Sequence, residues 1–271
     1  MKTIAFLLVL ASFPLGAQWL NYPDPRTPRN ADGTPDLTAP APTLAGKPDL
    51  TGLWRMAPTP PEEYEQVMGD DIHQIQIDLY DVTKHAINVF WGISPDEVPM
   101  RPAAAGILKS RMATQESIQA LCLPSSIPLG LFTFTFKIIQ TPQELIQLDE
   151  YGDPPRQVYT DGRELPVDPN PSWMGYSVGS WEEDTLVVET NGLNDRGWLD
   201  LSGHPRSESM HITERYHRRD FGHMDVEISF DDPIYYTRPF SIRTVANLIP
   251  DSDILEFVCD ENEQDLQHLG N

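Results

Sequence analysis

Basic residues are scarce in this chain: 19 Lys and Arg stand against 41 Asp and Glu, a formal net charge of −22 over 271 residues. Nucleic-acid binders neutralise phosphates with clustered Lys and Arg, and no stretch here concentrates them, so nucleic acid is excluded as a partner. Anionic membrane surfaces are disfavoured for the same reason. Past the first residues no segment reaches the roughly 20 apolar residues that span a bilayer, and no membrane insertion is expected of the mature form. Cysteine is down to two, Cys122 and Cys259, neither in a C-x-x-C or C-x-x-H pair that would hold a metal. Phosphate-cradling, dinucleotide-binding and H-E-x-x-H patterns are missing, and no cofactor is expected. Gly175-Tyr176-Ser177-Val178-Gly179 spells G-x-S-x-G, but a strand runs on into a turn there, without the strand-to-helix elbow that a nucleophilic serine needs.

What the chain does contain begins with an export signal. Met1-Lys2 is a short positive start, Ile4 to Leu10 is apolar but too short to cross a bilayer, and Leu15-Gly16-Ala17 offers a cleavage site. Residues 1–17 are therefore expected to be removed, with the mature chain starting near Gln18 in a periplasm or outside the cell. An oxidising compartment favours a disulfide between Cys122 and Cys259, the only two thiols. Proline is abundant, 26 of 271, roughly twice average usage. Ten prolines fall between Tyr22 and Glu62, so residues 18–50 read as an extended arm. Within it Gly33-Thr34-Pro35-Asp36-Leu37-Thr38 recurs as Gly46-Lys47-Pro48-Asp49-Leu50-Thr51, two equivalent turns that lay the arm over a body.

That body, residues 51–271, is expected to be one β domain with a helical insertion at about 61–119. Gly52-Leu53-Trp54 opens its first strand. Ile72, Ile75, Leu79, Val82, Ala86 and Val89 recur at helical spacing between Asp71 and Trp91, and a second helix starts at Pro102 and runs through Ile107 and Met112. From Leu131 the period changes to two: Phe132, Phe134 and Phe136 alternate with Thr133, Thr135 and Lys137. Further strands are Leu145–Leu148, Gln157–Tyr159, and a hairpin of Tyr176–Trp181 and Thr185–Thr190 about an acidic turn. Short strands with tight turns predict a mainly β protein, an antiparallel meander closed as a lipocalin-like barrel, with a filled sandwich as the competitor.

The segment from Met210 to Phe230 carries the chemistry. With Asp220-Phe221-Gly222 as a three-residue hairpin loop and Gly222 left-handed, His217 opposes Asp225, Arg215 opposes Glu227 and Thr213 opposes Ser229 on a polar outer face. The inner face pairs Ile212 with Phe230, Glu214 with Ile228, Tyr216 with Val226 and Arg218 with Met224, which turns Glu214 inward. A buried carboxylate is costly unless paired or protonated; it either becomes a general acid or base or braces the fold against an inward Arg, Arg218 being one candidate. The irregular loop Asn191–Ser209 holds Trp198, which can stack on a ligand, and Asp200 and His204, which can polarise it. His204, Glu208 and His211 offer a metal alternative, but their helical spacing falls on a loop running into a strand.

The run Trp173–Glu182, then Asp184–Thr190, Gly203-His204-Pro205 and Thr213-Glu214-Arg215, resembles a family of exported bacterial proteins of acidobacterial and proteobacterial type. The paired arm turns and Cys122-Leu123-Pro124 are similar to the same family; the resemblance implies export and carries over no catalytic residue. Gly52-Leu53-Trp54 more loosely resembles the first strand of lipocalin-type barrels, which implies a ligand-holding interior. The leading expectation is an exported barrel binding a small apolar or aromatic molecule, walled by Phe132, Phe134, Phe136, Tyr216 and Trp198. Its polar site is Glu214 with His204, Asp200 and Arg218, suited to cofactor-free lyase or isomerase chemistry. A non-catalytic envelope interaction module and a metal-dependent hydrolase stay open as alternatives, as does the oligomeric state. The negative charge fits a saline habitat, and it also favours a neutral or cationic ligand.

Overall fold

A computed structural model describes residues 23–68, 83–114, 117–118 and 121–257. The expected leader, its cleavage point, Cys259 and the part of the first expected helix over 69–82 lie outside the described residues. In the arm, β1 (Thr43–Leu44) and β2 (Lys47–Pro48) make a small ribbon. The remaining strands are β3 (Gly52–Met56), β4 (Phe136–Gln140), β5 (Glu144–Asp149), β6 (Arg156–Tyr159), β7 (Tyr176–Glu182), β8 (Thr185–Asn191), β9 (His211–Arg218), β10 (His223–Asp231) and β11 (Phe240–Leu248). These nine close into one barrel in the order β10-β11-β3-β4-β5-β6-β7-β8-β9, with β9 returning to β10.

All neighbours are antiparallel except β6 and β7. An odd number of strands cannot alternate direction all the way round, so closure demands one parallel pair, and the meander is broken there. The chain leaves β6 at one end, recrosses the barrel over residues 160–175 and re-enters through β7 in the same direction. The strand registers therefore define two ends. The upper end gathers 57–135, 150–155, 192–210 and 232–239; the lower end gathers the arm and the short turns at 141–143, 183–184 and 219–222.

Helices α1 (Pro61–Met68), α2 (Lys84–Ile87), α3 (Pro102–Thr114) and α4 (Leu129–Thr133) all belong to the upper end. The alternation expected from Leu131 is overturned here, because Leu129 to Phe132 form the helical turn α4 and the strand starts only at Phe136. Two apolar clusters compete for this segment: Leu129 packs with Ile118 and Trp198, whereas Leu131 and Phe132 enter the main core. A single helical turn divides its side chains between them, which a strand with two faces at that position does not.

The β9–β10 register has Arg218 opposite Met224, Glu214 opposite Ile228 and Ile212 opposite Phe230, with Glu214 buried. Gly222 does not take the left-handed conformation expected of it; space is what it supplies. A Cβ there would stand 2.5 Å from Leu37 Cβ and 2.9 Å from Leu37 O, because the arm lies on this turn. Gly222 N–H donates to Leu37 O and Phe221 N–H to Ala39 O. The two arm turns share chemistry: Asp36 Oδ1 accepts the Thr38 amide and Asp49 Oδ1 the Thr51 amide. The first turn seats Leu37 on the β9–β10 loop, and the second drives Leu50 into the core, where its carbonyl accepts the Trp54 indole N–H. Gly222→Ala is expected to cost about 1–3 kcal/mol by overpacking and to expose the arm to limited proteolysis before the barrel. A urea titration and a protease time course check this; unchanged arm protection would show that the contact does not hold the arm.

Candidate functional site

Glu214 and Tyr216 lie in the barrel interior, and the buried partner of Glu214 is Arg156 at the upper start of β6. All five N–H groups of the Arg156 guanidinium meet acceptors. Nε donates to Ser177 Oγ at 3.2 Å, Nη1 to Gln147 Oε1 at 3.4 Å and Glu214 Oε1 at 3.0 Å, and Nη2 to Thr190 Oγ1 at 3.0 Å and to Glu214 Oε2. Tyr216 OH donates to Glu214 Oε1 at 2.6 Å. Burial followed by the charge of Glu214 pushes the Tyr216 hydroxyl well above its ordinary range, so it stays a donor. Every group of this network is held by another, which makes Glu214 a brace across β6, β7, β8 and β9. Ser177, the formal G-x-S-x-G serine, is one of its members. Alternation from Val158 would have turned Arg156 inward as well, a signal that the proline pair before it obscured.

Arg218 does not reach Glu214; it closes the lower end. Its guanidinium donates to the carbonyls of Asp220, Asp49, Thr51 and Phe221 and lies over the Trp54 ring at 4.8 Å. It lines a cleft of about 410 Å³ between arm and barrel. With its donors directed at backbone oxygens, Arg218 acts as a clamp there. Of the three expected wall phenylalanines, Phe136 and Phe132 are in the core, while Phe134 leaves it to stack on Tyr151 at 4.5 Å.

The upper-end loop brings Asp200 and His204 together. His204 Nδ1 lies 2.6 Å from Asp200 Oδ2, and the pair is buried. Asp200 is held by three backbone amides: Gly203 and His204 donate to Oδ1 at 3.0 and 3.1 Å, and Val89 to Oδ2 at 2.8 Å. The acceptor-only carboxylate assigns the proton to Nδ1 and leaves the Nε2 lone pair free. Among the described residues Nε2 has no hydrogen-bond partner. Phe90 meets the imidazole edge to face at 5.1 Å and continues into a cluster of tilted rings with Tyr236 and Phe240. Trp198 lies in the same loop, buried against Ile118 and Leu129 beneath Arg111. Glu214 shares no hydrogen-bond partner with this pair, so the expected Glu214–His204 site divides into an interior brace and an upper-end dyad.

The metal alternative fares differently. His204 is engaged by Asp200, Glu208 is exposed, and His211 lies on β9 at 3.9 Å from Glu189. Among the described residues no group of three His, Cys, Asp or Glu converges.

Sequence reasoning missed several upper-end groups. His85 on α2 is buried with Nδ1 unpartnered, and burial, helped by Lys84, lowers its pKa to about 4. Asp149 and Asp153 close the β5–β6 connection. Burial and then the charge of Asp153 raise the Asp149 carboxyl to about 8. Arg206 is fully buried, its donors on the carbonyls of Asn194, Ile127 and Trp173, and burial lowers it to about 9. It fastens the His204 loop to the segment before α4. The Arg206 contacts join segments 12, 33 and 79 residues apart, so no spacing announces them.

Beside this loop the parallel seam opens outward. Only Val158–Ser177 and Tyr159–Val178 pair across it, and a groove of about 300 Å³ lies over it, lined by Pro154, Pro155, Tyr159, Trp173, Met174 and Tyr176. In comparisons with protein-family models, curated proteins and solved structures nothing matches the chain, so its function is argued from its own residues.

Proposed function

We propose that the protein is an exported barrel that binds a small apolar or aromatic molecule at its upper end and moves a proton on it with His204, as a cofactor-free lyase or isomerase does. The observation that carries this reading is the geometry of the dyad. Asp200, locked by three amides, fixes the tautomer that presents Nε2 as a base and stabilises the imidazolium formed when Nε2 takes a proton. Phe90, packed on the imidazole, and the Tyr236 and Phe240 rings beyond it are buried in the core and make its surroundings apolar, and a base held in place before substrate arrives needs little reorganisation. Export rests on the leader-like start of the sequence and predicts a Cys122–Cys259 disulfide, read as the loss of two hydrogens in the intact mass of the secreted chain.

The dyad is tested by long-range ¹⁵N–¹H NMR of the histidine rings in the wild type and in Asp200→Asn. In its neutral form the wild-type His204 ring is expected to be the Nδ1–H tautomer with a bare Nε2, and the variant to lose that preference. A His204 ring protonated on Nε2 in the wild type would remove the base and the mechanism with it.

A second reading, a non-catalytic interaction module, is favoured by the seam groove. Arg163 lies over Tyr159 at 3.7 Å and donates to Tyr176 OH at 3.0 Å, so the aromatic wall is held in place before any partner arrives.

A further inference from the structure

The upper end contains a second cluster that the dyad does not use. Asp153 is held by two consecutive amides, Ser125 N–H to Oδ1 at 2.8 Å and Ser126 N–H to Oδ2 at 2.7 Å. Ser126 takes a left-handed φ of 59°, which turns the two amides toward one carboxylate. Asp149 arrives from the end of β5 with Oδ1 capped by the Tyr151 amide at 2.8 Å. Both carboxylates press on the same side of Gly130: a Cβ there would stand 2.9 Å from Asp153 Oδ2 and 3.2 Å from Asp149 Oδ2. Gly130 is thus the residue that leaves room for the two oxygens.

Three features of this place stand out together. No hydrogen bond joins the two carboxyls, and neither has an ion-pair partner among the described residues. Arg206, the one cation whose charge is felt at Asp153, spends its donors on carbonyls. The hydroxyls of Ser125 and Ser126, on the residues whose amides hold Asp153, are 0 % and 1 % exposed and without a partner. With Asp149 Oδ2 they make three of the seven buried unpartnered side-chain atoms in the described chain. Buried polar atoms are almost always satisfied, and no group of the described chain satisfies these three oxygens.

All the groups offered are oxygens, two of them carboxylate, and none is nitrogen or sulfur. That donor set suits a hard cation and is a poor one for zinc or copper. We propose that Asp149, Asp153 and the hydroxyls of Ser125 and Ser126 form a site for one hard cation of the calcium class. The ion ties the segment before α4 to the β5–β6 connection. Through Arg206, which donates to Ile127 O at 2.7 Å, that segment is fastened to the His204 loop. The site is independent of the proton-transfer reading and stands or falls separately.

The test is made on the full mature chain, stripped with chelator and titrated with Ca²⁺, with Mg²⁺ and Zn²⁺ as comparisons. Thermal unfolding and isothermal titration are read for the wild type, Asp149→Asn, Ser126→Ala and the exposed control Glu208→Gln. With 41 acidic residues, loose calcium association is expected everywhere, so the decisive signal is one saturable site. The wild type and Glu208→Gln are expected to bind one Ca²⁺ with a rise in Tm. Binding weakens about tenfold or more in Asp149→Asn and measurably in Ser126→Ala. Should Asp149→Asn fail to fold, Ser126→Ala and Tb³⁺ luminescence of the wild type, competed by Ca²⁺, carry the test. The proposal is overturned if the stripped wild type shows no saturable site, or if both variants bind as it does. It is equally overturned if Asp149→Asn is as stable as the calcium-loaded wild type with no response to Ca²⁺, the behaviour of a site that holds a proton instead.

Discussion

Arg156→Met and Glu214→Leu are each expected to destabilise the protein by about 3–5 kcal/mol, because each leaves its partner charged and unpaired in the barrel interior. Arg156 is 2 % and Glu214 1 % exposed, so water cannot take over the lost contact. The double variant Arg156→Met/Glu214→Leu is expected to recover most of the loss, since a buried ion pair replaced by apolar side chains of similar volume is often neutral or better. Recovery is incomplete to the extent that Gln147 and Tyr216 lose polar partners, whereas Ser177 and Thr190 keep each other at 2.8 Å. A double-mutant cycle in urea measures the coupling. Additive losses would mean that the two groups do not brace one another, and would return Glu214 to the list of acids available for chemistry.

The second large effect concerns pH. His85 is 8 % exposed and its pKa is lowered to about 4, chiefly by burial and secondarily by Lys84. Because the folded value lies below the ordinary value of 6.5, the unfolded chain takes up a proton first as the pH falls. The stability tied to a neutral His85 is therefore fully present above about pH 6.5 and is lost as the pH drops toward 4. That gap corresponds to about 3 kcal/mol. His85→Leu removes the titration, so between pH 7 and pH 4 the wild type is expected to lose about 3 kcal/mol more than the variant in urea unfolding. Equal losses would show that His85 titrates normally in the fold.

The sequence made some of this legible and concealed the rest for physical reasons. The β9–β10 register could be read because the loop Asp220–Gly222 is short and one face alternates Ile212, Glu214 and Tyr216 against Phe230, Ile228 and Val226, a pattern that a one-residue slip would destroy. The paired turns of the arm could be read because Asp36 and Asp49 cap their own backbones locally. Asp200 and His204 could be named as polar loop residues, and their contact is itself local.

What was hidden depends on distant chain segments. The partner of Glu214 comes from 58 residues away, and Arg156 opens a four-residue strand whose alternation the proline pair before it obscures. The parallel seam follows from counting nine strands around a closed barrel, which no single hairpin reveals. Phe132 and Phe134 imitate strand alternation, yet a helical turn wins because two apolar clusters pull on adjacent residues. The Asp149–Asp153 cluster is invisible in sequence because Ser125 and Ser126 reach it across a folded loop.

In the proposed function a small molecule meets its base at the upper end, not in the barrel interior. A ligand-observed NMR screen of small aromatic carbonyl compounds tests this most directly, run on the wild type, His204→Gln and the double variant Arg156→Met/Glu214→Leu. Compounds that bind the wild type are expected to bind the double variant equally and to lose contact in His204→Gln. Compounds that persist in His204→Gln and vanish in the double variant would place the site inside the barrel and contradict the proposal, as would a wild type that binds none of them.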